Sequence, residues 1–139
     1  MKKILIVEDD EKIALALSIR LKANGYDVSV ASDALSGVSQ ARAGKPDLIL
    51  LDISMPGGNG FQLAENLHRI PETQYTPIIF ITASKSPELL QKVMDLGAIG
   101  LFEKPFETEK LIECIDSKFN RMAEFARAGR ASSHHPLNR

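Results

Sequence analysis

Four places in this chain carry side chains that could do chemistry, and each follows a short apolar run. Glu8, Asp9 and Asp10 come directly after the run 4–7, and Asp52 comes after the run 48–51. Thr82, with Ala83 and Ser84, follows the run 78–81; Glu103, Lys104 and Pro105 follow the run 99–102. Clustered carboxylates repel one another unless a cation sits between them. Lys104 supplies one positive charge, and a divalent cation would supply the rest. The candidate ligands are hard oxygens with no His or Cys beside them, which favours Mg²⁺ or Mn²⁺ over zinc. Mg²⁺ usually takes one or two protein carboxylates, several waters and a phosphate oxygen. A carboxylate can also act as a nucleophile and form an aspartyl phosphate. Phosphoryl transfer asks mainly for positioning and for neutralisation of charge on the equatorial oxygens. Asp52 is the candidate nucleophile, Lys104 and the metal the neutralising charges, and the Thr82 hydroxyl a hydrogen-bond donor.

The elements that must position these groups alternate in type. The runs 4–7, 48–51, 78–81 and 99–102 read as strands buried on both faces, the last weakened by Gly100. Val28-Ser29-Val30 alternates instead, which places that strand nearer a sheet edge. Between the runs the period becomes helical: Ile13, Leu17 and Leu21; Leu63, Leu67 and Ile70; Leu89, Val93 and Leu96; then Leu111, Ile115, Phe119 and Met122. The segment 35–43 is a weaker helix, diluted by Ser36, Gly37 and Ser39. Gly25, Gly44 and Gly97 fall just past helical stripes, where helix ends favour glycine. Five β-α repeats predict a doubly wound α/β fold with a parallel sheet, right-handed crossovers and helices on both faces. Such sheets bind ligands beyond the carboxyl ends of their strands, where the four polar groups gather. Asp52 ends the most apolar strand and belongs near the sheet centre. From Arg127 onward the pattern dissolves into Gly, Ser, Arg, His and Pro, and reads as a mobile tail.

Composition narrows the function classes. With 139 residues, the chain fits one domain. Its 44% hydrophobic and 25% charged residues are ordinary for a soluble protein. A net charge of −1 gives no global pull toward nucleic acid or anionic membrane, so neither direct nucleic-acid binding nor membrane insertion is expected. The single cysteine, Cys114, excludes an internal disulfide and suits a cytoplasmic location. The Lys2-Lys3 start resembles a signal peptide, but the apolar run after it stops at Glu8.

Four motifs in order carry a resemblance. Ile6-Val7-Glu8-Asp9-Asp10, Leu50-Leu51-Asp52-Ile53-Ser54-Met55-Pro56-Gly57-Gly58-Asn59-Gly60, Ile81-Thr82-Ala83 and Phe102-Glu103-Lys104-Pro105-Phe106 resemble the receiver domains of two-component response regulators, chemotaxis regulators among them. The likeness runs from about residue 3 to about residue 120. It implies a flavodoxin-like, five-stranded sheet in the order 2-1-3-4-5, with the receiver over 1–122 and a helix end and flexible tail over 123–139. It implies Asp52 as phosphoacceptor, with Thr82 and Lys104 gripping the phosphoryl oxygens. Asp9 would ligate Mg²⁺ directly, Glu8 partly through water, Asp52 by its carboxylate and Ser54 by its backbone carbonyl. The Lys104-Pro105 peptide would be cis. The donor would be a histidine kinase or a histidine phosphotransfer protein, and the output a partner protein that the sequence does not name. Such a protein promotes its own phosphorylation and is not an enzyme in the usual sense. Its switch would alter the face around residues 86–120.

Plainer readings stand beside these. Asp10 reads as a helix cap rather than a ligand. Thr82 alone could satisfy a local backbone group, and Lys104 could be a solvated surface lysine. Gly57, Gly58 and Gly60 match no phosphate-cradling motif and read as turn glycines; Met55-Pro56 reads as loop packing. His134 and His135 sit in a polar tail that reads as solvated. The family often has an aromatic residue where this chain has Leu101, and alternation turns Phe102 to the other face, so the hydroxyl-aromatic coupling is weakened. The competing function is a phosphorylation-independent adaptor of the same fold. A flavin carrier would want a hydroxyl- and glycine-rich loop where this chain has three acids. A phosphatase would want a further general acid and a cap.

Overall fold

The β-branched and leucine runs form a five-stranded parallel sheet in the order β2-β1-β3-β4-β5. A computed structural model provides the architecture and describes residues 1–55 and 60–133. The strands are β1 (Lys3–Val7), β2 (Asp27–Ala31), β3 (Leu48–Asp52), β4 (Ile78–Thr82) and β5 (Gly100–Glu103). The helices are α1 (Glu11–Ala23), α2 (Ala34–Gly44), α3 (Gly60–Arg69), α4 (Pro87–Asp95) and α5 (Thr108–Ser133). The chain packs as two units, Met1–Phe106 and Glu107–Arg139.

In the first unit every residue of β3 and β4 is buried, as continuous apolar runs require of central strands. The alternating strand β2 is largely exposed and pairs with β1. One face of the sheet presents Leu5, Val7, Ile49, Leu51, Ile78 and Phe80 to Ala41 of α2, to Leu63, Ala64 and Leu67 of α3, and to Val93 of α4. The opposite face carries Ile4, Ile6, Leu50 and Ile81, and α1 packs over β1 and β2 with Leu17 and Leu21 buried. Leu101 pairs with Phe80 in register and joins the first face, whereas Phe102 turns away and meets the Phe106 ring edge-on. The parallel register places Asp52 opposite Ile81 and Thr82 opposite Glu103, so these side chains leave the sheet at one level.

Helix ends follow local chemistry. The Asp10 carboxylate accepts from the Lys12 and Ile13 amides at 2.9 and 3.2 Å and caps α1. Asp33 caps α2 and Ser86 caps α4 in the same way. Gly25 and Gly97 take left-handed backbone with φ of 90° and 76°. Gly44 does not: it is the last residue of α2, and the left-handed position falls on Lys45 (φ 48°). Lys45 precedes Pro46, whose ring disfavours right-handed helix at the residue before it. Pro71 accounts likewise for α3 ending at Arg69, one residue short of Ile70. Gly60 opens α3 against Ile53, where an added Cβ would stand 2.7 Å from the Ile53 Cα, so a side chain there has no room.

The second unit holds α5, with Leu111, Ile115, Phe119 and Met122 at helical spacing along it. Regular helix continues past Arg127 to Ser133, where composition alone suggested an irregular tail. Ala123, Ala126, Ala128 and Ala131 are strong helix formers, and no proline intervenes before Pro136. The expected flexible end, with His134 and His135, lies outside the described residues, as do Pro56, Gly57 and Gly58. Among the described residues no helix is long and apolar enough to cross a membrane.

Candidate functional site

The site occupies the carboxyl ends of β1, β3, β4 and β5, all within the first unit. Asp52 is 1% exposed and Glu8 is 2% exposed, so both carboxylates need partners. Lys104 provides one for each. Its Nζ lies 2.6 Å from Asp52 Oδ2 and 3.0 Å from Glu8 Oε1. The backbone carries this lysine inward: the Lys104 amide donates to the Thr82 carbonyl at 2.8 Å, and the Lys104-Pro105 peptide is cis. Ser54 holds the other Asp52 oxygen, its amide donating to Oδ1 at 2.8 Å and its hydroxyl at 2.5 Å. The amide contact is the turn that an aspartate makes with the N–H two residues on. Sequence reading assigned Ser54 through its carbonyl and missed this hydroxyl contact, although an acid followed two places later by serine was the available signal.

Glu8, Asp9 and Asp52 each offer a carboxylate oxygen, and the three oxygens lie within 4.8 Å of one another. Asp9 is the exposed member. Glu8 Oε2 accepts from the Asp10 amide at 3.1 Å. Glu8 Oε1 is buried without a hydrogen bond, its lysine contact being a close ion pair off the hydrogen-bonding angle. A buried oxygen that makes an ion pair but no hydrogen bond, among hard oxygen donors, fits a hard divalent cation. Asp10, adjacent in sequence, points elsewhere and caps α1.

The two buried carboxylates titrate in opposite directions. Burial, reinforced by the neighbouring Asp52, pushes Glu8 up to about 7 against the pull of Lys104. Burial also opposes ionisation of Asp52, but the hydrogen bonds from Lys104 and Ser54 outweigh it and hold its carboxyl below the ordinary value. Lys104 loses hydration, yet its contacts with Asp52 and Glu8 prevail and raise its pKa. The ionised pair is thus Asp52⁻ and Lys104⁺, with Glu8 holding a proton up to near neutrality.

Thr82 is buried at the end of β4, next to β3. Its hydroxyl donates to the Ser84 carbonyl and accepts from the Ser84 amide, both at 3.2 Å. The structure therefore brings Glu8, Asp9, Asp52, Ser54 and Lys104 together around one set of oxygens, while the Thr82 hydroxyl is engaged in its own turn.

A five-stranded parallel sheet in this order, with acids at the ends of its central strands, defines a class of signalling domain. The chain belongs to the response regulator receiver domain family, whose model matches residues 4–116. It is 36% identical over 124 residues to the response regulator ArlR of Staphylococcus saprophyticus, covering 89% of this chain and 55% of that protein. It is 34% identical over 125 residues to the phosphate regulon transcriptional regulatory protein PhoB of Escherichia coli, covering 90% of this chain and 55% of PhoB. The chain thus spans about half the length of these curated relatives. Among solved structures, the chemotaxis protein CheY4 of Vibrio cholerae superposes with a TM-score of 0.79 at 32% identity, over 84% of this chain and 98% of that one. A CheY-like receiver domain from Methanospirillum hungatei gives 0.81 at 29% identity, over 89% and 98%.

Proposed function

We propose that this chain accepts a phosphoryl group on Asp52 and thereby switches its binding to a partner. The observation that carries the reading is the Asp52 carboxylate, buried on Lys104 at 2.6 Å and grouped with the oxygens of Glu8 and Asp9. The donor is a phosphohistidine of a kinase or phosphotransfer protein. An Asp52 oxygen forms a bond to phosphorus, the P–N bond breaks, and its electron pair leaves with the imidazole, which takes up a proton. Asp9, Glu8, Asp52 and the Ser54 carbonyl are the residues that would hold Mg²⁺ (or Mn²⁺). When bound, the ion supplies charge neutralisation for the transferring oxygens. Lys104 neutralises a further oxygen and orients Asp52. The Ser54 hydroxyl, now on Oδ1, holds that carboxylate in a single orientation for attack.

Acyl phosphate formation replaces one negative charge with about two and adds acceptor oxygens. The Thr82 hydroxyl then has a stronger acceptor than the Ser84 carbonyl, and its move to that acceptor rearranges the loop before α4. Two arrangements of one loop, biased by one group, are the physical content of the switch. Incubation with Mg²⁺ and acetyl phosphate is expected to add the mass of one phosphoryl group to the intact protein, and chelation of the metal to prevent it. A protein that stays folded and gains no mass with any phosphodonor would instead be a phosphorylation-independent adaptor.

A further inference from the structure

The loop 83–86 joins the end of β4 to α4, and three side chains hold it. The Thr82 hydroxyl is bonded to both backbone groups of Ser84, and the Ser86 hydroxyl caps α4 by accepting from the Leu89 amide at 3.0 Å. The third holder comes from a different strand. Glu103, the last residue of β5, accepts from the Lys85 amide through Oε2 at 3.0 Å. Glu103 directly precedes Lys104, whose amide binds the Thr82 carbonyl and whose ammonium binds Asp52. The end of β5 therefore grips the end of β4 twice, once by Lys104 backbone and once by Glu103 side chain.

We propose that Glu103 is a positioning residue, a latch that holds the loop 83–86 in its unphosphorylated arrangement and so sets the threshold for switching. The inference rests on the reading of Asp52 as phosphoacceptor. To donate to a phosphoryl group on Asp52, the Thr82 hydroxyl must give up its bond to the Ser84 carbonyl. Release frees Ser84, but Lys85, the next residue, stays tied to β5 while Glu103 accepts from it. Rearrangement has to break that charge-assisted hydrogen bond or carry Glu103 along. Both Glu103 and Lys85 are exposed, so water can replace the contact, and the latch is weak enough to yield. A weak, breakable contact suits a bias between two states of similar free energy. Glu103 touches none of the reacting groups, so its action on Asp52 runs through the loop.

The test compares wild type with Glu103→Leu, which removes the acceptor, and Glu103→Gln, which keeps an acceptor oxygen but removes the charge. Two quantities are read: the rate of phosphoryl gain from acetyl phosphate at saturating Mg²⁺, and amide exchange at Lys85 in the unphosphorylated protein by NMR. Glu103→Leu is expected to speed phosphoryl gain about three- to tenfold, the equivalent of one modest hydrogen bond, and to speed Lys85 exchange similarly. Glu103→Gln, which keeps a weaker, uncharged acceptor, is expected to fall between wild type and Glu103→Leu in both. Equal or slower phosphorylation in Glu103→Leu, with wild type taking up its phosphoryl group, overturns the latch and leaves the phosphoacceptor reading standing. Glu103→Gln behaving like Glu103→Leu overturns it too, because charge near Lys104 would then be the cause. A wild-type protein that gains no phosphoryl group overturns both. Thermal melts of the three proteins show whether a variant has lost its fold; if Glu103→Leu has, Glu103→Ala takes its place under the same criteria.

Discussion

Asp33 and Asp52 are the same residue type, each at or just past the carboxyl end of a parallel strand, and their fates are opposite. Asp33 follows β2, the edge strand. Its carboxylate accepts from the Ser36 amide at 2.7 Å and closes the first turn of α2. Asp52 ends β3, with β1 on one side and β4 on the other. It is buried, bonded to Ser54 and Lys104, and grouped with Glu8 and Asp9. An edge strand brings an acid near one neighbouring strand; a central strand brings it near the ends of several. Only at the centre can an ammonium from β5 and acids from β1 converge on one carboxylate. Position in the sheet, more than residue type, decides whether an acid caps a helix or joins a buried charged cluster.

The largest expected effect tests that contrast directly. Asp52→Asn should abolish phosphoryl gain measured by intact mass, while Asp33→Asn, which still caps α2, should leave it unchanged. Uptake by Asp52→Asn at a wild-type rate would place the acceptor elsewhere and dissolve the contrast. Next comes Asp9→Ala. It keeps Asp52 and removes a neighbouring ligand charge, so Mg²⁺ affinity, measured by titration calorimetry, should fall on the order of tenfold or more.

Removing the ammonium has a structural and a functional consequence. Lys104→Met leaves the buried Asp52 carboxylate without its cation and should lower metal-free stability by roughly 2–3 kcal/mol in urea unfolding, less than for a fully buried pair because the lysine is partly exposed. Lys104→Ala should retain some phosphorylation yet lose coupling to partner binding. Wild-type partner affinity in the phosphorylated variant would remove Lys104 from the switch.

The pH dependence sharpens the comparison further. Glu8 has its folded pKa raised from 4.5 to about 7, so between these values the folded chain holds a proton that the unfolded chain has lost. Stability of the metal-free protein therefore falls as pH rises from about 4.5 to about 7. Over the same interval Mg²⁺ affinity should rise, since ion and proton compete for one carboxylate. Glu8→Gln should flatten both slopes; a metal-free stability curve with its slope unchanged in Glu8→Gln would assign the proton to another group. Asp52 contributes in the opposite sense, stabilising above its unfolded pKa and losing that contribution as pH falls through its lowered folded value. The smallest effect belongs to the edge: Asp33→Ala should cost about 1 kcal/mol as a lost helix cap and leave phosphoryl uptake untouched.

Sequence alone determined the alternation of strands and helices, the edge character of β2 and the order of the polar groups along the chain. These are local properties: hydrophobic period, β-branched runs and capping residues act within a few positions of themselves. It also singled out Asp10 as a cap, because an acid before a helical stripe needs nothing distant to act. Helix ends were less legible where a proline follows, as at Lys45 and Ile70, and α5 outran its composition because alanine carries helix without an apolar stripe. Tertiary structure alone decided that one oxygen of Asp52 faces Lys104, that Glu8 is buried against the same ammonium, and that Glu103 crosses to the Lys85 amide. Each of these depends on which strand ends become neighbours and at what register. Groups 18 to 52 residues apart in sequence meet only once the parallel sheet has set that register.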